Sequence, residues 1–142
     1  CAGVEEPLVV MGTLGTRTSA LIDIDNDGDL DIITGEFGSA PQILVSNLSE
    51  QRTVNWLKVK LVGTFSNRDA IGSYVTVSAG DLQMTRFVDG KTGYLTQSSL
   101  PLYFGLDDAT TIDRITVTWP SGGEQVLEGP MDANVTLTIE EE

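Results

Sequence analysis

The stretch from Asp23 to Asp31, DIDNDGDLD, places five carboxylates in nine positions. Carboxylates this close repel one another at neutral pH, so either their pKa values rise or a divalent cation neutralises them. Calcium suits such a cluster because it takes about 6–8 oxygen ligands in a flexible geometry, whereas magnesium prefers a strict octahedron and keeps several waters. The sequence therefore predicts a calcium loop, and the flanking segments must fold around it.

The spacing also predicts how the loop surrounds the ion. The first three aspartates can turn inward from a tight loop, and Gly28 permits a sharp bend that a side chain would obstruct. Asp29 is expected to contribute its backbone carbonyl, and Asp31 is expected to close the cage. The alternative is an acidic, solvated turn without a metal. The predicted Ca²⁺ ligands are Asp23, Asp25, Asp27, Asp29 and Asp31.

Strand-like sequences flank the loop and distinguish it from helical calcium loops. An EF-hand needs a glutamate at about position 12 of the loop, and counting from Asp23 that position is Thr34, which cannot give bidentate carboxylate ligation. Apolar and β-branched side chains flank the loop on both sides, whereas a dockerin-like loop would continue into a helix. They are Ala20, Leu21, Ile22 and Ile24 upstream and Leu30, Ile32, Ile33 and Thr34 downstream. This strand, loop, strand arrangement with the pattern DxDxDGxxD resembles the FG-GAP or VCBS repeat, the blade unit of integrin-type β-propellers.

Residues 7–48 contain one blade's worth of predicted strands. Turn residues separate four short apolar runs, Leu8–Met11, Ser19–Ile24, Leu30–Thr34 and Gln42–Val45. A propeller needs about 4–8 such units, and no second DxDxDG motif occurs in the sequence. The stretch is therefore either a truncated terminal blade or a blade that packs on the following domain. Polar residues 46–53 form the predicted linker, which gives domains at 1–50 and 51–142.

The second unit shows the period-2 alternation of half-buried strands. Its predicted core faces are Leu57/Val59/Leu61, Val75/Val77, Ile115/Val117/Trp119 and Val135/Leu137/Ile139. About seven strands of this kind, with no convincing helical periodicity, predict an antiparallel β-sandwich. The predicted fold class is therefore all-β, with one propeller-blade-like four-stranded unit carrying a calcium loop, followed by an antiparallel β-sandwich.

Seven short stretches of the second unit together carry a family signature. They are Asn55-Trp56-Leu57, Leu61-Val62-Gly63, Ser66 to Gly72, Gly93-Tyr94, Gln97-Ser98-Ser99, Phe104-Gly105-Leu106 and Trp119 to Gly122. Over about residues 54–140 they resemble the ASPIC and UnbV domain, which follows FG-GAP or VCBS repeats in secreted bacterial proteins and in proteins similar to cartilage acidic protein. The order of the two units supports both resemblances. The resemblance implies extracellular, calcium-dependent structure and recognition rather than a reaction.

Charge and cysteine content limit the partners and the compartment. Eight basic and 21 acidic residues give a net charge of −13, which argues against binding nucleic acid or anionic membranes. We find no signal peptide or membrane span, so membrane insertion is not expected. Calcium loops suit millimolar free calcium, which predicts a secreted, extracellular or periplasmic protein. Cys1 is compatible with a lipid anchor or with a fragment boundary, and no pattern indicates an oligomeric state.

Three sets of side chains are candidates for recognition, each with a structural alternative. Trp56 could stack on a sugar or a partner, or it could pack against the first unit. The segment Asn67–Asp69 could bind a ligand or form a turn with an internal salt bridge. Tyr94, Gln97 and Ser98 could bind a ligand or form a hydrogen-bonded crossing between strands. Trp119, in contrast, is predicted to lie in the core.

The sequence offers few groups for catalysis. It contains no histidine, which excludes Ser-His-Asp and Cys-His sites. A carboxylate pair, Asp107-Asp108 or Asp113 with Glu124, could cleave glycosides, but nothing fixes a separation of about 5–9.5 Å. We therefore predict a noncatalytic extracellular module for recognition of, or adhesion to, a protein or glycan. The alternatives are a purely structural cap of a β-propeller and a carboxylate-based glycoside hydrolase.

Overall fold

The computed structural model describes residues 15–91, 93–98 and 101–142. Within these residues the chain forms ten strands and one helix of a single turn. The prediction of an all-β fold is therefore confirmed. The strand predicted at Leu8–Met11 lies outside the described residues.

The first unit is an antiparallel sheet in the order β1-β2-β3. Its strands are β1 (Thr16–Ile22), β2 (Asp31–Glu36) and β3 (Gln42–Leu44). The register pairs Ile22 with Asp31, so the acidic stretch is the loop of a hairpin. Ile24 was predicted to end β1 but lies in this loop, because its N–H donates to the Asp31 side chain instead of a neighbouring strand. Three of the four predicted blade strands are thus confirmed.

A short helix, α1 (Leu48–Gln51), lies in the predicted polar linker and crosses the predicted domain boundary. The N–H groups of Gln51 and Arg52 donate to the carbonyls of Asn47 and Leu48 at 3.3 and 3.1 Å. The sequence did not predict this helix because one turn is too short to show an apolar period. Among the described residues, no helix has the length and apolar character needed to cross a membrane.

In the described part of the second unit, seven strands form two sheets. One sheet has the order β10-β4-β7, formed by β10 (Val135–Glu140), β4 (Asn55–Val62) and β7 (Leu102–Asp107). The other has the order β6-β5-β8-β9, formed by β6 (Leu82–Phe87), β5 (Tyr74–Ala79), β8 (Thr111–Thr118) and β9 (Glu124–Asp132). Buried residues of both sheets form one apolar core, as expected for a sandwich.

One strand pair departs from the predicted antiparallel arrangement. β10 runs parallel to β4, with Val135 opposite Leu57 and Ile139 opposite Leu61. Apolar alternation has the same period in parallel and antiparallel strands, so the sequence pattern could not distinguish the two directions. The last strand therefore lies beside the first strand of the sandwich, and the two ends of this unit meet in one sheet.

The predicted core faces of β4, β5 and β8 are confirmed. The buried residues are Leu57, Val59, Leu61, Val75, Val77, Ile115, Val117 and Trp119. The prediction for β10 is only partly correct, because Ile139 is buried and Leu137 packs against the core, whereas Val135 is 38% exposed. Among the described strands, β10 has β4 on one side and no strand on the other, so its first residue is less covered.

Candidate metal site

Three of the predicted ligands lie together in the loop between β1 and β2. Oxygen atoms from Asp23, Asp25 and Asp27 all lie within 4.8 Å of one another. Asn26 and Gly28 adopt positive φ values of 64° and 98°, which turn the chain sharply enough to bring the three side chains together. A Cβ atom on Gly28 would also collide with the indole of Trp56, so glycine is required there for two reasons.

Backbone groups of the loop orient the first and third carboxylates. The N–H of Gly28 donates to Asp23 Oδ2 and the N–H of Asp29 donates to Asp27 Oδ1, each at 3.0 Å. The other oxygen of Asp23 is buried and has no hydrogen-bond partner among the described residues. A buried charged oxygen without a partner is costly, and a hard cation would satisfy it. The all-oxygen ligand set therefore fits calcium.

Asp29 and Asp31 hold the loop to the rest of the first unit. Asp31 is 1% exposed and accepts hydrogen bonds from the N–H groups of Ile24 and Ser46 at 2.7 and 2.8 Å. Asp29 accepts one from the N–H of Ser49 at 2.9 Å, and its second oxygen is buried without a partner in the described part of the chain. Neither belongs to the three-carboxylate group, so their metal ligation stays a prediction.

The electrostatic environment differs between the neighbouring aspartates. Desolvation, followed by the negative charge of Asp27, raises the pKa of Asp25. The hydrogen bond from the Ser49 hydroxyl, followed by the N–H of Asp29, lowers the pKa of Asp27. Hydrogen-bond donors thus stabilise the ionised form of Asp27. The ionised form of Asp25 is destabilised, because its negative charge lies beside other negative charges. A cation between these side chains would relieve that repulsion.

The second unit closes the inner side of the loop. Lys58 of β4 forms an ion pair with Asp23, and their side chains are 5% and 0% exposed. The Lys58 ammonium also donates to Asn26 Oδ1 at 3.0 Å and lies 4.7 Å from the ring centroid of Trp56. Trp56 thus packs against the first unit, which was the structural alternative for this residue. Lys58 was not among the site residues predicted from the sequence, although its spacing of two from Trp56 places both on one face of β4.

A cleft of about 310 Å³ lies between the acidic loop and the sandwich. Its walls include Gly28, Asp29, Leu30, Trp56, Arg86 and Tyr103. A second cleft of about 350 Å³ shares Leu30, Arg86 and Tyr103 with the first and continues to Ser98. The two clefts therefore adjoin along these three residues, and together they form a concave surface lined by aromatic rings, an arginine and part of the acidic loop.

Asn67 and Ser98, two of the other predicted candidates, have structural contacts, whereas Tyr94 is 67% exposed. Asn67 exchanges two hydrogen bonds of 2.8 Å with the backbone of Ile71 and so forms a turn. Among the ion pairs of the described residues, none joins Arg68 to Asp69. Ser98 accepts a hydrogen bond from the N–H of Leu21 at 3.0 Å, which links the segment after β6 to β1.

The carboxylate pairs considered for glycoside cleavage lie elsewhere on the sandwich. Glu124 pairs with Thr118, five residues along β8 from Asp113, so the two acids lie roughly 16 Å apart along the strands. Asp113 accepts a hydrogen bond from the N–H of Gly80 at 2.7 Å instead. Asp107 and Asp108 are exposed at the end of β7. The absence of catalysis stays a prediction.

Comparison with known proteins identifies the family. The model of the family described as "ASPIC and UnbV" matches residues 63–142, which is more than half of the chain. The chain belongs to the ASPIC and UnbV family. It is also 31% identical over 132 residues to "Cartilage acidic protein 1" of Xenopus tropicalis and 33% identical over 131 residues to that of Homo sapiens.

These alignments cover 87% and 86% of this chain but only 20% and 18% of the two relatives. The ASPIC and UnbV chain therefore spans about a fifth of the length of the relatives that it matches. Both alignments are longer than the family match, so part of the first unit is aligned as well.

The ASPIC and UnbV unit also contains a buried carboxylate, Glu141, which follows β10 and which the sequence did not indicate as a site. Glu141 is 5% exposed and accepts hydrogen bonds from five donors. The donors are the N–H groups of Thr64, Phe65 and Ser66 at 3.0, 2.9 and 2.6 Å and the hydroxyls of Ser66 and Ser121 at 2.7 and 2.6 Å. The chain end thereby holds the loop after β4 and the turn after β8.

These contacts predict a specific acid sensitivity. Burial acts to raise the pKa of Glu141, but the hydrogen bonds from Ser121, Ser66 and Thr64 lower it from 4.5 to about 2. A lowered folded-state pKa means that the stabilisation is complete above pH 4.5 and is lost as the pH falls toward 2. In melts between these limits, we expect Glu141→Gln to lose less stability with falling pH than the native chain. Glu140→Gln, an exposed neighbour, should keep the native slope, and equal slopes in all three proteins would contradict the prediction.

Proposed function

We propose that this chain is a noncatalytic, extracellular calcium-binding module in which the metal loop supports a recognition surface for a protein or a glycan. The three-carboxylate group with an unpartnered, buried oxygen on Asp23 carries the proposal. Asp23, Asp25 and Asp27 would hold the ion, and Asp29 and Asp31 would complete or support the loop. The metal would neutralise the loop and hold its shape; the proposal assigns it no reaction.

The hairpin that presents the loop supports an FG-GAP or VCBS-like blade for the first unit. Its two strands are joined across the acidic stretch, as the DxDxDGxxD pattern requires. The relatives' name refers to cartilage and to acidity, and this chain shares the acidity with a net charge of −13. Together with a ligand set suited to millimolar calcium, these observations support a secreted protein.

The concave surface beside the loop supports recognition. Trp56 and Tyr103 line this surface, although both contact Lys58 and Trp56 also packs on the loop. A sugar or an apolar side chain could pack against the parts of the two rings that face the cleft, and Arg86 adds planar hydrogen-bond donors. Trp, Tyr and Arg are the side chains that most often dominate binding energy at interfaces. Because Gly28 and Trp56 are in contact, a change in the loop would move one wall of this surface.

A purely structural role, as the cap of a propeller, is the second candidate. The first unit exposes large apolar side chains in and beside its sheet, with Phe37 at 65%, Ile43 at 61% and Val45 at 59%. Exposed apolar patches of this kind often mark contacts with further protein. Probing glycan and protein arrays with and without calcium separates the candidates, because only the recognition proposal expects calcium-dependent binding to specific spots.

The metal site itself is tested by isothermal titration of metal-stripped protein. We expect about one Ca²⁺ per chain, and we expect Mg²⁺ to bind more weakly because the flexible oxygen cluster does not impose an octahedron. Asp25→Asn should weaken calcium binding at least tenfold, since it removes a charged ligand without changing side-chain size. Asp81→Asn, in the exposed turn between β5 and β6, is the matched control and should bind like the native chain. Absence of binding at millimolar calcium would refute the proposal.

A further inference from the structure

The acidic loop already contains a cation supplied by the sandwich. The Lys58 side chain is 5% exposed and reaches the loop from β4, 35 positions away from its partner Asp23. Burying an ammonium group is costly unless charged and polar partners compensate. Here the partners are the carboxylate of Asp23 and the amide oxygen of Asn26, at 3.0 Å from the ammonium. Lys58 is therefore an ordered part of the loop and not a solvated surface charge.

Two aromatic rings fix the position of this ammonium. It lies 4.7 Å from the ring centroid of Trp56 and 5.2 Å from that of Tyr103. Both distances allow favourable cation–π attraction, which is strongest for desolvated cations. A lysine held by a carboxylate, an amide and two rings cannot turn into solvent without losing all four contacts. The positive charge thus stays beside Asp23 when a metal ion enters.

We propose that Lys58 is a built-in counter-ion that stabilises the metal-free loop and weakens its affinity for calcium. The inference rests on the proposed calcium site. Lys58 and the N–H of Gly28 share Asp23 Oδ2, which leaves Oδ1, unpartnered among the described residues, as the oxygen that can bind a metal without displacing a partner. The ammonium also repels a divalent ion bound to the same carboxylate, because like charges at short range interact unfavourably in a buried site.

Lys58 could instead raise calcium affinity by ordering the loop before the metal binds. Other contacts already provide that order, since the N–H groups of Ile24, Gly28 and Asp29 donate to Asp31, Asp23 and Asp27 at 2.7 to 3.0 Å. Removing Lys58 leaves these three hydrogen bonds in place. When Lys58 is replaced, the gain from removing its repulsion of the metal ion should therefore exceed the cost of a less ordered loop. We accordingly expect calcium affinity to rise.

Calcium titration of Lys58→Met and Lys58→Gln tests the inference. We expect both variants to bind Ca²⁺ roughly tenfold or more tightly than the native chain, because a buried positive charge near the ion is gone. Without metal, both variants should melt at a lower temperature than the native chain. Because they bind calcium more tightly, calcium should also raise their melting temperatures by more than it raises that of the native chain. Lys58→Gln has an amide that can donate to Asp23, so this variant can be used for the titration if Lys58→Met does not fold.

Lys60→Met is the matched control. It removes the same formal charge from the same strand, but Lys60 is exposed and has no ion pair among the described residues. It should bind calcium like the native chain. If the native chain binds calcium and the Lys58 variants bind no more tightly than Lys60→Met, this inference fails and the proposed function stands. Binding by the Lys58 variants alone supports the inference, and no binding by any of the proteins overturns both.

Discussion

Val117→Asp is expected to prevent the sandwich from folding, whereas Thr118→Asp, one residue away, is expected to cost little. Val117 is 0% exposed and lies in β8 between Val75 of β5 and Gln125 of β9. An aspartate there is buried in the apolar core without a counter-charge, which costs more than about 4 kcal/mol. That is a large part of the roughly 5–15 kcal/mol that keeps a domain folded. Thr118 is exposed on the other face of the strand.

Circular dichroism and thermal melting of the two variants measure this difference directly. Both variants add one negative charge to the same strand, so Thr118→Asp controls for charge and for local strand propensity. Val117→Asp should lack a cooperative transition, and Thr118→Asp should melt within a few degrees of the native chain. Similar melting of the two variants would mean that the alternation of β8 does not define the core.

Removal of calcium is expected to lower the melting temperature by roughly 10 °C. A ligand present at about 100 times its dissociation constant stabilises the folded state by about 2.7 kcal/mol. For a chain of 142 residues, each kcal/mol corresponds to about 3–5 °C. Without the ion, the carboxylates of Asp23, Asp25 and Asp27 repel one another within 4.8 Å, and the single charge of Lys58, which is paired with Asp23, offsets only part of that repulsion.

The measurement compares melts in calcium and in excess chelator. Asp25→Asn supplies the control, because a variant that binds calcium poorly should show a much smaller difference between the two conditions. Its melting temperature in chelator should also equal or exceed that of the native chain, since one repelling charge is gone. An unchanged native melt in chelator would show that the loop does not contribute to stability.

The strands and the core could be predicted because their signals are local in the sequence. Alternation in β4, β5 and β8 correctly assigned the buried faces, and the family signature of the second unit is confirmed. A register slip of one residue would expose each apolar set, so a single arrangement is strongly favoured. The four-residue helix α1 gave no such signal because a single turn is too short to show a period. The exposure of Val135 gave none because it depends on the position of β10 at a sheet edge.

Sequence alone determined the hairpin loop and its cluster of carboxylates, since the aspartates and Gly28 are close in the chain and constrain one another directly. Only the tertiary structure decided that Lys58 joins Asp23, that Ser49 contacts Asp27, and that Glu141 gathers donors from two distant turns. The alternation of β4 places Lys58 on the polar side of its strand and implies solvent, and the sequence indicates no partner for Glu141, which follows β10. Lys58, Ser49 and Glu141 have these partners because segments that are distant in the sequence pack against one another. Such packing produces no periodic pattern in the local sequence, so these contacts could not be predicted from it.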